Sequence, residues 1–118
     1  MTRNFSDFLR NARLNKNAES KDFSLRKVAA RAELEPSYLS KIERGTEAPP
    51  SEDKIKALAI DLEIEPDVLL AMAGKVSKEL QDIIIKRPML FGEMLRELKQ
   101  MPDRAILKIV REVRDGEW

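Results

Sequence analysis

Apolar residues recur at intervals of three and four along most of the chain, the period of amphipathic helices. Phe5, Phe8, Leu9 and Ala12 share one face, so the spacing predicts a first helix over 5–16. The polar stretch NAESKDF, 17–23, reads as a loop. Ser24 is a suitable N-cap for a second helix with Leu25, Val28 and Ala29 inward. Ala32-Glu33-Leu34-Glu35 reads as a turn, and Pro36 fits the first position of a third helix, where its missing N–H costs nothing. Leu39 and Ile42 face inward, and Gly45 ends that helix as a left-handed cap. Beyond the rigid connector Ala48-Pro49-Pro50, Ser51 caps a fourth helix with Ile55, Leu58, Ala59 and Leu62 inward. Pro66 opens a fifth, with Val68, Leu69 and Met72, and Gly74 closes it.

Three further amphipathic segments follow. One spans 77–87 with Leu80, Ile83 and Ile84 on its apolar face. A second, after Pro88, spans 89–100 with Phe91, Met94, Leu95 and Leu98. In the third, Asp103 caps a helix carrying Ile106, Leu107, Ile109, Val110 and Val113. Sustained strand alternation is missing, and no internal repeat is evident. The pattern predicts an all-α protein: a five-helix unit over 1–74 and a helical extension of three helices over 75–118.

Composition narrows the chemistry. The 118 residues include no Cys and no His. That excludes disulfides and thiolate zinc sites, and removes the usual metal ligand and neutral-pH general base. Neither a metal site, nor a cofactor, nor an enzyme is expected. No apolar run approaches the roughly 18 residues of a membrane span. The N-terminal MTRNFSDFLRN lacks a signal-peptide core, so a cytoplasmic protein is expected. The net charge of +1 conceals an asymmetry. Residues 1–44 carry ten Lys/Arg and six Asp/Glu, whereas 45–74 carry two and seven. A polyanion would meet the first stretch and avoid the second.

The two short helices around 24–45 pose a mechanical question, because only a tight turn separates them. One helix fits the B-DNA major groove, about 12 Å wide, but cannot hold its own orientation there. A preceding helix packed across it fixes the angle and reaches the phosphates, which is the helix-turn-helix solution. LRNAR, SLRKVAARAELEPSYLSKIERG, the Pro-Pro connector and ALAIDLEIEPDVLL together resemble the XRE-type family of phage-repressor-like DNA-binding proteins, over roughly 5–73. The resemblance implies a dimeric regulator of transcription, most simply a repressor, with one recognition helix per half-site of a double-stranded DNA operator.

The same resemblance assigns residues. Pro36, Ser37, Tyr38 and Lys41 match base-facing positions of the recognition helix. Ser24, Arg26 and Lys27 match the phosphate-clamping start of the second helix, and Arg44 and Thr46 a phosphate-contacting loop. Arg13 and Glu43 match an internal ion pair with a scaffold role. Three departures stand out: Glu33 replaces the usual turn glycine, Leu25 stands where Gln is frequent, and the loop before Ser24 is longer, so NAESKDF either reaches the DNA backbone or is merely floppy.

The extension lies outside the shared family core. Its apolar faces suit a homodimer interface, with Phe91, Leu95, Ile106, Ile109, Val110, Val113 and Trp118 as candidates, or else complete the monomer core. It also resembles the tails of regulators found beside zinc-dependent metallopeptidases of the ImmA/IrrE kind, which implies a peptidase partner that inactivates the protein. The alternative reading is an antitoxin that binds a protein toxin and autoregulates its operon.

Overall fold

The computed structural model describes residues 2–118, with side chains from residue 4 onward. Among the described residues the chain is all-α, with no strand. The helices are α1 (Thr2–Glu19), α2 (Leu25–Arg31), α3 (Pro36–Arg44), α4 (Glu52–Asp61), α5 (Pro66–Met72), α6 (Lys78–Lys86), α7 (Pro88–Leu98) and α8 (Asp103–Asp115), with a 3-10 turn at Lys21–Phe23. They fall into two compact units, the first ending at Lys78 and the second spanning Glu79–Trp118. The connection after Gly74 stays with the first unit. Ser77 is buried, and the backbone N–H of Lys78 donates to Glu52 at 3.2 Å. Glu52 also accepts from Lys56 at 2.9 Å. That hydrogen bond holds the Glu52 carboxyl below the usual carboxylate range and raises the Lys56 ammonium.

One core fills the first unit. Phe5, Leu9, Val28, Ala29, Leu39, Ile42, Ile55, Leu58, Ala59, Leu69 and Leu70 are all at most 1% exposed. On α1 the buried stripe runs Phe5–Leu9–Arg13, at intervals of one helical turn, so Phe8 lies at its edge and is 37% exposed rather than inward. Val68 likewise lies outside, 47% exposed, because α5 turns Leu69 and Leu70 into the core.

The stretch 17–23 is not an open loop. Asn17, Ala18 and Glu19 include no breaker, so α1 continues through them. Ser20 then caps the 3-10 turn, its hydroxyl accepting from the Asp22 N–H at 3.4 Å. The Arg31 guanidinium lies over the Phe23 ring, 5.1 Å from its centroid, and the Lys16 ammonium lies 5.6 Å from it. Arg31 Nη2 donates to the Asp22 carbonyl at 2.8 Å, and Lys27 Nζ to the Lys21 carbonyl at 3.3 Å. The insertion is pinned to α1 and α2.

Helices α2 to α5 all end in the same way. The N–H of a left-handed residue bonds to the carbonyl three residues back, and the next N–H bonds five back, the Schellman pattern. For α2 these bonds are Glu33 to Ala30 at 3.1 Å and Leu34 to Ala29 at 2.8 Å. For α4 they are Glu63 to Ile60 at 3.2 Å and Ile64 to Ala59 at 2.8 Å. The same bonds close α3 through Gly45 and α5 through Gly74. Glu33 and Glu63 take φ of 56° and 57°. The segments AELEP (32–36) and LEIEP (62–66) thus build one turn twice, an internal repeat that hydrophobic spacing does not reveal.

The two turns are also joined. Arg31 and Asp61, thirty residues apart and each one residue before the C-cap, form a bidentate pair at 2.6 and 3.0 Å. That hydrogen bond raises the Arg31 pKa. Lys54 Nζ donates to the carbonyls of Ala32, at 3.2 Å, and Glu33, at 3.0 Å.

A left-handed L-residue costs about 1–2 kcal/mol, of which glycine's chain entropy would take back about 0.5–1. Glu33→Gly is therefore expected to stabilise the first unit by about 0.5–1 kcal/mol. It should raise the urea midpoint at an unchanged denaturant slope. Glu63→Gly should gain less, because Glu63 accepts a hydrogen bond from Lys16. A midpoint that does not rise for Glu33→Gly would remove strain as the reading of that turn.

The second unit is built differently. None of the residues of α6, α7 or α8 is buried. Leu80 and Ile83 are 36% and 44% exposed rather than inward. Pro102 occupies the N-cap position of α8, and Asp103 is its first helical residue rather than its cap. Phe91, Met94, Leu98, Ile106, Ile109, Val110 and Val113, with Arg114, line an apolar groove of about 500 Å³.

Candidate nucleic-acid interface

The recognition geometry rests on how α3 is held. Its inner side is Leu39, Ile42 and Glu43, all buried. Leu39 and Ile42 belong to one cluster with Val28 and Ala29 of α2, with Leu34 of the turn packed against it. Pro36 starts the helix and Gly45, at φ 76° and ψ 13°, stops it. With both ends and one face fixed, the opposite face is left to solvent. Ser37, Lys41 and Arg44 lie along it at helical spacing, all exposed. Neither Ser37 nor Lys41 has a side-chain partner among the described residues, whereas Arg44 Nε donates to the Ser40 carbonyl at 3.3 Å. Pro36 and Tyr38 are half-buried, and Tyr38 packs against the core, so only part of its ring is available outside.

Arg13 and Glu43 lie together beneath this face. Arg13 Nε donates to Glu43 Oε2 at 2.7 Å and Nη2 to Oε1 at 2.9 Å, a planar two-point pair. Their side chains are 10% and 4% exposed. Arg13 Nη1 reaches the Phe23 carbonyl at 3.3 Å, so one guanidinium ties α1, α3 and the 3-10 turn together.

At the start of α2, Ser24, Arg26 and Lys27 are brought together, but not equally free. The Ser24 hydroxyl oxygen accepts from the Lys27 N–H at 3.3 Å. The Lys27 ammonium is drawn 3.4 Å from Asp22. Arg26 is exposed and has no partner among the described residues. Beyond α3, the Thr46 hydroxyl donates to the Lys41 carbonyl at 3.2 Å, which gives it a capping role. Sequence reasoning missed the Arg31–Asp61 tie and the two cation contacts to the Phe23 ring. The signal for the first was the repeated turn itself.

A short helix set against a second by a tight turn, with its outer face polar and its inner face locked into a core, defines a helix-turn-helix nucleic-acid-binding domain. Residues 11–69 match the family described as Helix-turn-helix, and the chain belongs to it. Members are DNA-binding transcriptional regulators, a family that is generally non-enzymatic. No curated protein and no solved structure matches the chain significantly. No helix among the described residues is long and apolar enough to cross a membrane.

Proposed function

We propose that the protein is a dimeric, sequence-specific repressor that inserts α3 into successive major grooves of its operator. The exposed stripe Ser37–Lys41–Arg44, on a helix whose other side is immobilised, is the observation that carries this reading. Lys41 would donate to guanine O6/N7, Ser37 to a base edge, and the outer edge of Tyr38 and Pro36 would meet thymine methyl groups. Ser24, Arg26, Lys27, Arg44 and Thr46 would hold phosphates and set the register. Losing one good base contact costs about 1–3 kcal/mol of discrimination, roughly 5- to 150-fold. Lys41→Ala should weaken operator binding within that range, with an unchanged melting temperature because the side chain is exposed. Operator affinity equal to wild type, measured by electrophoretic shift, would take Lys41 out of the interface.

The second unit supplies the dimer in this reading. A unit with no buried residue has no core of its own, and its apolar groove is a half-core that a second copy completes. Phe91, Ile106, Ile109, Val110 and Val113 line the groove, while Leu95 and Trp118 lie outside its lining. The Trp118 indole N–H donates to the Val113 carbonyl at 3.2 Å, and the residue is 88% exposed. The same accessibility makes this unit the point of attack for an inactivating metallopeptidase of the ImmA/IrrE kind. Coexpression with such a peptidase should remove the intact chain. An intact chain under those conditions would exclude that partner.

A further inference from the structure

A second feature of the first unit bears on how DNA is gripped. A surface cavity of about 320 Å³ lies between α1 and the last turn of α3, lined by Asp7, Arg10, Glu43 and Arg44. It has room for about ten waters. Its four charges are not equally available. Both carboxylate oxygens of Glu43 are taken by Arg13. Asp7 already has a partner. Arg44 uses only its Nε, on the Ser40 carbonyl. Arg10 is exposed and has no hydrogen bond or ion pair among the described residues. With Glu43 matched by Arg13, two guanidinium groups face one carboxylate, that of Asp7, and the cavity keeps a positive excess. Its position matters as much. Arg44 is the last member of the stripe Ser37–Lys41–Arg44, so the cavity continues the DNA-facing surface from α3 onto α1.

We propose that Arg10 and Arg44 together bind one DNA backbone phosphate in this cavity, making Arg10 a DNA-contacting residue that lies outside the helix-turn-helix itself. The inference rests on the DNA-binding reading above. Guanidinium groups present planar forks of N–H donors that match phosphate oxygens, and two on one cavity can share a single phosphodiester. The contact would fix the angle of α1 against the duplex from the C-terminal end of α3, opposite the Ser24–Lys27 end of the motif. Arg13 acts here through Glu43. By neutralising that carboxylate it prevents the cavity wall from repelling the phosphate.

The test uses the full chain and a mixed-sequence duplex, because binding without sequence preference is dominated by phosphate contacts. Affinity is followed by fluorescence anisotropy between about 50 and 200 mM salt, where each neutralised phosphate contributes about −0.9 to the slope of log K against log salt. Arg10→Gln should flatten that slope by about 0.9 per bound protomer and weaken binding at the low-salt end. Arg10→Lys should keep most of the slope, and both variants should melt as wild type does. A wild-type slope retained by Arg10→Gln, with wild type binding normally, would overturn this inference and leave the DNA-binding reading intact. Failure of wild type itself to bind the duplex at low salt would remove both.

Discussion

Glu43→Ala is expected to lower the melting temperature by at least about 12 °C. The substitution leaves the guanidinium of Arg13, whose side chain is 10% exposed, without the carboxylate that takes two of its hydrogen bonds. Removing one partner of a buried pair costs about 3–5 kcal/mol, mostly because the surviving charge stays desolvated. In a domain of 60–100 residues each kcal/mol moves the midpoint by about 4–8 °C. The consequence extends beyond stability, since this pair connects α1 to α3 just beneath the exposed stripe. Replacing both partners by apolar residues, as in Arg13→Met with Glu43→Leu, should restore much of the loss, because no buried charge then remains. A melting temperature unchanged in Glu43→Ala would show that the pair carries no structural role.

The second large effect is expected in the other unit. Val110 lies on the apolar face of α8 and lines the groove, yet is 49% exposed in the single chain. Val110→Asp should therefore leave the first unit's unfolding transition in place while halving the mass seen by light scattering at micromolar concentration. An unpaired carboxylate in a closed dimer core would have to be desolvated without compensation. Operator binding should fall far more than for any single contact. Linking two half-site binders raises the local concentration of the second, and losing that link costs about 10²- to 10⁴-fold. Wild type with the mass of one chain under the same conditions would contradict the shared core.

Much of the fold was legible because its punctuation is chemical. Pro36 and Pro66 open α3 and α5, and Gly45 and Gly74 supply left-handed closures that glycine adopts without strain. The equivalent closures at Glu33 and Glu63 were hidden, because glutamate is an ordinary helix former and only the folded backbone demands its positive φ. Repetition of the Glu-Leu/Ile-Glu-Pro string was the available clue. Helix α1 ran past its expected end at 16 because polarity alone does not stop a helix. Phe8 and Val68 show a related limit: periodicity places a residue on a face, but the centre of the buried stripe depends on the neighbouring helices. For the candidate interface, the family resemblance supplied both the proposed α3 contacts and the Arg13–Glu43 pair; the structure shows Ser37 and Lys41 exposed and that pair formed. The Arg10–Arg44 cavity was out of reach, since it forms only when α1 packs on α3.

The most direct test of the central claim is a DNase I footprint on the DNA upstream of the protein's own gene, with wild type beside Lys41→Ala. The account predicts two protected half-sites about one helical turn apart, roughly 34 Å centre to centre, with protection weakened by the substitution. No protection at low salt, or protection by Lys41→Ala equal to wild type, would contradict recognition of that DNA through α3.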